Sequence, residues 1–229
     1  MKAGQRSYGS NGLQNMLFPL EYMYMTQGEY QYTYSHNGTY AMDFQGWGAN
    51  GRVYHCPYYA PFDCTCVAKW GSNSPMAVWQ SNNEVNFVDG THGYACIGFV
   101  HDNNINSIHV GDTKRMGDVI GHTGTYGNVT GDHVHIEVKK GKYTGYYKNS
   151  HGVYQLKNEN HLYDLMGVNN TVLTKDYYVN HHGTTVHYNW RSFSGVVPPH
   201  PPTPHPPTTW EKKEGYPWYT LTSKKLHRM

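Results

Sequence analysis

Apolar positions recur in short alternating runs along the chain, and a sustained 3.6-residue period is absent from the sequence. Alternation over a few residues marks half-buried strands. Residues 41–44 (AMDF), 64–70 (CTCVAKW), 77–81 (AVWQS), 84–88 (EVNFV), 94–100 (YACIGFV), 117–121 (GDVIG) and 133–138 (HVHIEV) all read as strands. TVL (172–174) and TVHYNW (185–190) are weaker ones, and HLYDLMG (161–167) has room for one helical turn or two. Asn37-Gly38 and Asp89-Gly90 are turn signals. Asn82-Asn83 predicts a two-residue hairpin between AVWQS and EVNFV, because Asn tolerates φ > 0. Through Asp89-Gly90 the chain would then run on into YACIGFV as a three-strand meander. Tyr22, Tyr24, Tyr30, Tyr32 and Tyr34 share a parity, which places them on one face of an extended segment. Residues 139–170 read as a polar excursion.

The pattern predicts a mainly β domain over residues 1–195, with an antiparallel sheet at its core and long loops walling a groove. Composition agrees: 22 Tyr, 6 Trp and 25 Gly suit strands joined by tight turns. At Val196 the character changes. Residues 198–207 hold seven of the 12 prolines, and HPPTP is nearly repeated by HPPTT. Residues 196–209 therefore read as a polyproline-II linker. Residues 210–229 read as a short basic tail, too small for a core of its own.

Charge excludes more than it suggests. With 18 Lys+Arg against 16 Asp+Glu the net charge is +2, which predicts no strong field for nucleic acid. No run approaches the roughly 18 apolar residues of a membrane span, so no membrane insertion is expected. The start, MKAGQRSYGSNGLQN, lacks the apolar stretch of a secretory signal. Cys56, Cys64, Cys66 and Cys96 lack the C-x-x-C spacing of a zinc ribbon and are expected as buried free thiols.

Sixteen histidines are the outlier. Their number raises the rate of chance matches, so spacing has to decide. His133-Val134-His135 puts two imidazoles on one face of a strand while Val134 enters the core. His36 and Asp43 are separated by a turn and a short strand that can bring them together. His36, Asp43 and one imidazole of the pair would give a metal two nitrogens and one carboxylate oxygen. Three protein ligands with a fourth position open are the mark of a catalytic zinc site, whereas structural sites are closed.

These residues, in this order with His101 and with VGDTKRMGDVIGHTGTYGNVTGDHVHIEV (110–138), resemble the lysostaphin-type zinc endopeptidases that cut bacterial peptidoglycan. APFDCTCVAKWG (60–71) is similar to the strand that follows the Asp ligand in that family. The likeness spans about residues 30–140, with weaker support to Phe193; VNNTVLTKDYY (168–178) and the missing signal are more like phage-encoded members.

The resemblance implies one zinc ion per chain, held by His36, Asp43 and His135. It implies His133 as the imidazole that takes the water's proton and passes it to the leaving amine. It implies His101 as the upstream catalytic imidazole, donating to the oxyanion or orienting the water, with His109 the competitor for that place. Tyr30, Tyr32 and Tyr34 all qualify for the family's assisting tyrosine. His92, His122, His181, His182 and His187 are expected in turns, loops or an edge strand, Asp102 and Asp132 in turns. Glu137 shares the parity of the two motif histidines and is expected as a supporting or surface residue.

The implied function is hydrolysis of a peptide bond in peptidoglycan, by an endolysin or a virion-associated lysin. The partners would be the cell wall and either a holin for release from the host cytoplasm or phage tail proteins. Two rival readings are a non-catalytic wall-binding or structural virion protein that keeps the fold, and a His-rich metal-binding protein with several weak sites. All five site positions being present argues against the first, and the long 110–138 match against the second.

Overall fold

A computed structural model describes residues 1–29, 36–71, 73–150 and 152–193. Tyr30, Tyr32, Tyr34, the linker at 196–209 and the basic tail at 210–229 lie outside the described residues. The centre is an eight-stranded sheet: β1 (Tyr22–Gln27), β2 (Met42–Phe44), β3 (Cys64–Trp70), β4 (Met76–Ser81), β5 (Ala95–Val100), β6 (Thr113–Lys114), β7 (Val134–Lys140) and β8 (Val172–Lys175). Across the sheet they run β6-β3-β4-β5-β7-β2-β1-β8. Neighbours are antiparallel except for the parallel edge pair β1 and β8.

Both faces of the sheet are covered. This explains why β5, ACIGFV, is buried at all six positions and reads as a continuous apolar run. Ile97 and Phe99 of β5, Val134, Ile136 and Val138 of β7, and Met42 and Phe44 of β2 enter the main core with Phe18, Phe62 and Trp79. The opposite parity builds the second face. There Cys96 and Val100 meet Met76, Val78 and Leu156. His135 and Glu137 of β7 and Asp43 of β2 belong to that second face too. The period of two thus gives the main core to one face and puts the candidate chemistry on the other, beside the smaller apolar cluster.

The strand predictions hold, with β3 at the stated residues, and the predicted helical turn is Leu162–Leu165; a 3-10 turn at Ile105–Ser107 is not among the expected elements. The hairpin and meander prediction is overturned. β4 pairs directly with β5 and with β3, while Val85–Asn86 leaves the sheet and pairs with Gln14–Asn15 and His92–Gly93. The Asn86 amide explains the detour: its Nδ2 donates to Asn11 Oδ1, the Leu13 carbonyl and Asn15 Oδ1, tying Val85–Asn86 to the first fifteen residues. The supposed polar excursion at 139–170 is also more than that. It holds a hairpin, Tyr146–Lys148 with Tyr154–Leu156, whose Leu156 packs on the second face of the sheet. Leu162, Leu165, Met166 and Val168 of the same stretch enter the main core.

All four cysteines are free, with Cys64, Cys66 and Cys96 buried. Burial pushes the Cys66 thiol up to about 11 and that of Cys96 to about 12, which makes them poor nucleophiles. Among the described residues no helix is long and apolar enough to cross a membrane.

Candidate metal centre

β2 and β7 are antiparallel neighbours, and their register sets Asp43 directly opposite His135. His36 comes in from the turn before β2, where Gly38 takes φ +77°, as Asn37-Gly38 predicted. His36 Nε2 lies 3.2 Å from Asp43 Oδ1 and 3.2 Å from His135 Nδ1, and His135 Nδ1 lies 3.0 Å from Asp43 Oδ1. All three residues are buried. Ligand atoms about 2.0–2.1 Å from a tetrahedral zinc stand about 3.3 Å from one another. The triangle has that size, and its two imidazoles and one carboxylate are zinc donors. The residues present therefore fit the metal.

The outward nitrogens of the two imidazoles are fixed. His36 Nδ1 is 2.8 Å from the Gly28 carbonyl, to which it donates. His135 Nε2 is 3.0 Å from Glu137 Oε1, and Glu137, fully buried, also accepts from the Leu156 backbone N–H. Burial alone would lower the His135 imidazole, but its hydrogen bonds to Asp43 and Glu137 outweigh that and raise it to about 10. Burial would raise the Asp43 carboxyl, but the charges of His36 and His133 hold it well below the usual carboxylate range. Without metal, the site keeps a proton where a cation would sit, and loading zinc has to displace it.

Two further imidazoles stand beside the triangle. His133 Nε2 lies 3.6 Å from Asp43 Oδ2, and the His101 ring centroid lies 4.5 Å from that of His133 and 6.2 Å from that of His135. His101 directly follows β5 with φ +79°, a left-handed conformation rare for a residue with a side chain. That turn is braced by Asp102, whose carboxylate accepts the N–H groups of Asn104 and His122. Gly124 fills the space between the two catalytic candidates. It exchanges both backbone hydrogen bonds with His133, and a Cβ there would come within 2.2 Å of the His101 carbonyl oxygen.

Tautomers follow from the hydrogen bonds. His101 Nδ1 donates to the Tyr126 carbonyl at 2.9 Å, and His133 Nδ1 donates to the Gly131 carbonyl at 2.8 Å. As a neutral imidazole each ring then offers a lone pair at Nε2, which in His133 lies 3.6 Å from Asp43 Oδ2. Burial first, then the charges of His133 and His135, push His101 down to about 3, which keeps it neutral. A neutral His101 with Nδ1 protonated accepts at Nε2.

The five candidate residues converge. His109, the competitor, is exposed at 73% of its side chain and belongs to a turn with Asp112. His92, His181, His182 and His187 are exposed. Asp102 and Asp132, expected as plain turn residues, are buried braces: Asp132 accepts from Thr123 Oγ1 at 2.6 Å and from the His55 N–H at 3.2 Å. Strand parity pointed to Glu137. Nothing in the local sequence marks the Asp132–Thr123 bond.

No family model matches the chain. Over 162 residues it is 40% identical to "Morphogenesis protein 1" of Bacillus phage B103, a match that covers 70% of this chain and 42% of that protein. The chain thus spans less than half the length of this curated relative. Among solved structures it is similar to the antimicrobial peptidase lysostaphin from Staphylococcus simulans, with 19% identity, TM-score 0.40, and 75% of this chain and 66% of that one covered. It is similar also to a zinc-containing peptidase from Vibrio cholerae, with 16% identity, TM-score 0.36, and 58% and 42% covered. LytU is a third, with 20% identity, TM-score 0.37, and 61% and 83% covered.

Proposed function

We propose that the chain is a zinc metalloendopeptidase that hydrolyses a peptide bond in bacterial peptidoglycan, in the stem peptide or the cross-bridge. The observation that carries this is the His36–Asp43–His135 triangle, with edges of 3.0–3.2 Å, flanked by two imidazoles whose Nδ1 atoms are held by backbone carbonyls. Zinc bound to the triangle would supply Lewis acidity, polarising the scissile carbonyl and acidifying a water at the open position. In this reading His133 takes the proton of the attacking water at Nε2 and returns it to the leaving nitrogen. His101, neutral and accepting at Nε2, orients the same water. Glu137 and the Gly28 carbonyl keep the ligand rings in place.

A pair of carboxylates around a sugar bond is what glycoside cleavage needs. Here Asp43 belongs to the triangle and Glu137 is bound to His135, so an amide bond is the target. The likeness to a phage morphogenesis protein favours a virion-associated lysin over an endolysin, with phage tail proteins as the partners. A non-catalytic virion role has no use for two further imidazoles beside a ligand triangle.

Purified cell walls digested with the zinc-loaded protein should gain free amino groups as their turbidity falls. New reducing ends without new amines would overturn the peptidase reading.

A further inference from the structure

The ribbon at 47–55 carries a cation, Arg52, that has no carboxylate partner among the described residues. Trp47–Gly48 pairs with Gly51–Arg52, and Trp47 stacks on Tyr24 of β1 at 4.1 Å between ring centroids. Arg52 is exposed, yet it is held at two points: its guanidinium lies 4.6 Å from the centre of the Tyr54 ring, and Nη2 donates to the Asp132 carbonyl at 3.2 Å. The Asp132 carboxylate, one bond system away, does not take it. That carboxylate is buried and already bound by Thr123 Oγ1 and the His55 N–H, with His55 Nδ1 3.4 Å off. Arg52 therefore meets the backbone of Asp132, has its charge unneutralised by any carboxylate among the described residues, and retains most of its five N–H donors.

The place matters as much as the charge. Asp132 precedes His133, so the carbonyl that holds the guanidinium belongs to the peptide bond that leads into the proposed base. A planar fork of N–H donors fixed at its base is the arrangement that recognises a carboxylate with both oxygens. Tyr54, 59% exposed, presents an aromatic face alongside. We propose that Arg52 binds a free carboxylate of the substrate peptide, one or two residues from the scissile bond. This rests on the peptidase reading and narrows it. Stem peptides carry such carboxylates and neutral glycine cross-bridges do not, so Arg52 directs the enzyme to the stem.

Two synthetic stem peptides decide it, identical except that one carries a free side carboxylate and the other its amide. Their affinities are measured by calorimetry on the full chain carrying His133→Ala, which blocks turnover, with and without Arg52→Gln. The carboxylate peptide should bind roughly ten- to a hundredfold more tightly than the amide, the range of a charge-assisted bond. Arg52→Gln should bring the two affinities together, and Arg52→Lys should restore part of the gap. Equal binding of the two peptides before the Arg52 change overturns the proposal. So does an equal loss for both in Arg52→Gln, because Arg52 would then only brace the 131–133 backbone. Cleavage by the unaltered protein is followed separately. A carboxylate preference without any cleavage would sink the peptidase reading and leave the Arg52 site standing.

Discussion

His135 and Glu137 are two residues apart on β7 and meet side by side, with Nε2 and Oε1 3.0 Å apart. The strand period alone brings them to the same face, and burial leaves the carboxylate no water to turn to. A carboxylate behind a ligating imidazole fixes its tautomer and raises its basicity. Glu137→Gln keeps the shape and removes the charge. Zinc affinity, measured by competition with a coloured chelator, should fall about 10- to 100-fold. An unchanged affinity would show that Glu137 is only a fold residue held by Leu156.

The triangle and the flanking rings separate in their mutants. His36→Ala, Asp43→Ala and His135→Ala should each abolish stoichiometric zinc by elemental analysis, and activity with it. His133→Ala and His101→Ala should keep zinc and the folded state, with turnover down about 10²–10⁴-fold, the range of an acid–base group. His109→Ala should behave as the unaltered protein, since His109 is exposed in its turn with Asp112. Zinc lost from the His133 variant, or turnover lost from the His109 variant, would contradict the assignment.

The alternating pattern carried the mainly β fold class, and local features carried which candidate side chains share a face, but neither carried every strand partner. His133-Val134-His135 announced a shared face, and Asn37-Gly38 announced the turn that delivers His36. Both are short-range facts, set by strand parity and by a φ that glycine adopts freely. Asn82-Asn83 misled because a turn signal says nothing about which strand comes next. Long-range hydrogen bonds from Asn86 to Asn11, Leu13 and Asn15 drew Val85–Asn86 out of the sheet. The braces at Asp102 and Asp132 escaped for the same reason. Their partners His122 and Thr123 lie 20 and 9 residues away, and no periodicity encodes them.

Gly124 is a point where a single methyl group should be felt. Its backbone pairs with His133, and the added Cβ would strike the His101 carbonyl oxygen at 2.2 Å. Relief requires the loop to move away from one imidazole or the other. Gly124→Ala should therefore bind zinc normally, because the triangle is not touched, and lose kcat by at least about tenfold, since a misplacement of order 1 Å can cost about 10²-fold. Zinc titration beside steady-state kinetics would check it. Full activity would mean that the His101–His133 spacing is not critical.

Glu159 gives the protein a pH-dependent stability of predictable sign. It is half-buried, accepting from Thr39 Oγ1 at 2.8 Å and Tyr147 Oη at 3.1 Å. Burial, and then the Glu137 carboxylate, push it up to about 8 from an ordinary 4.5. Between those two values the folded chain holds a proton that the unfolded chain has released. Stability must then fall as pH rises through that window, because the unfolded state binds fewer protons. Glu159→Gln has no proton to lose and keeps an acceptor for Thr39 or Tyr147. Its melting temperature relative to the unaltered protein should rise steadily from pH 5 to pH 8, measured on metal-free samples so that zinc loading does not contribute. A difference that stays constant over that range would show that Glu159 is ionised in the folded protein and that Thr39 and Tyr147 stabilise the charge.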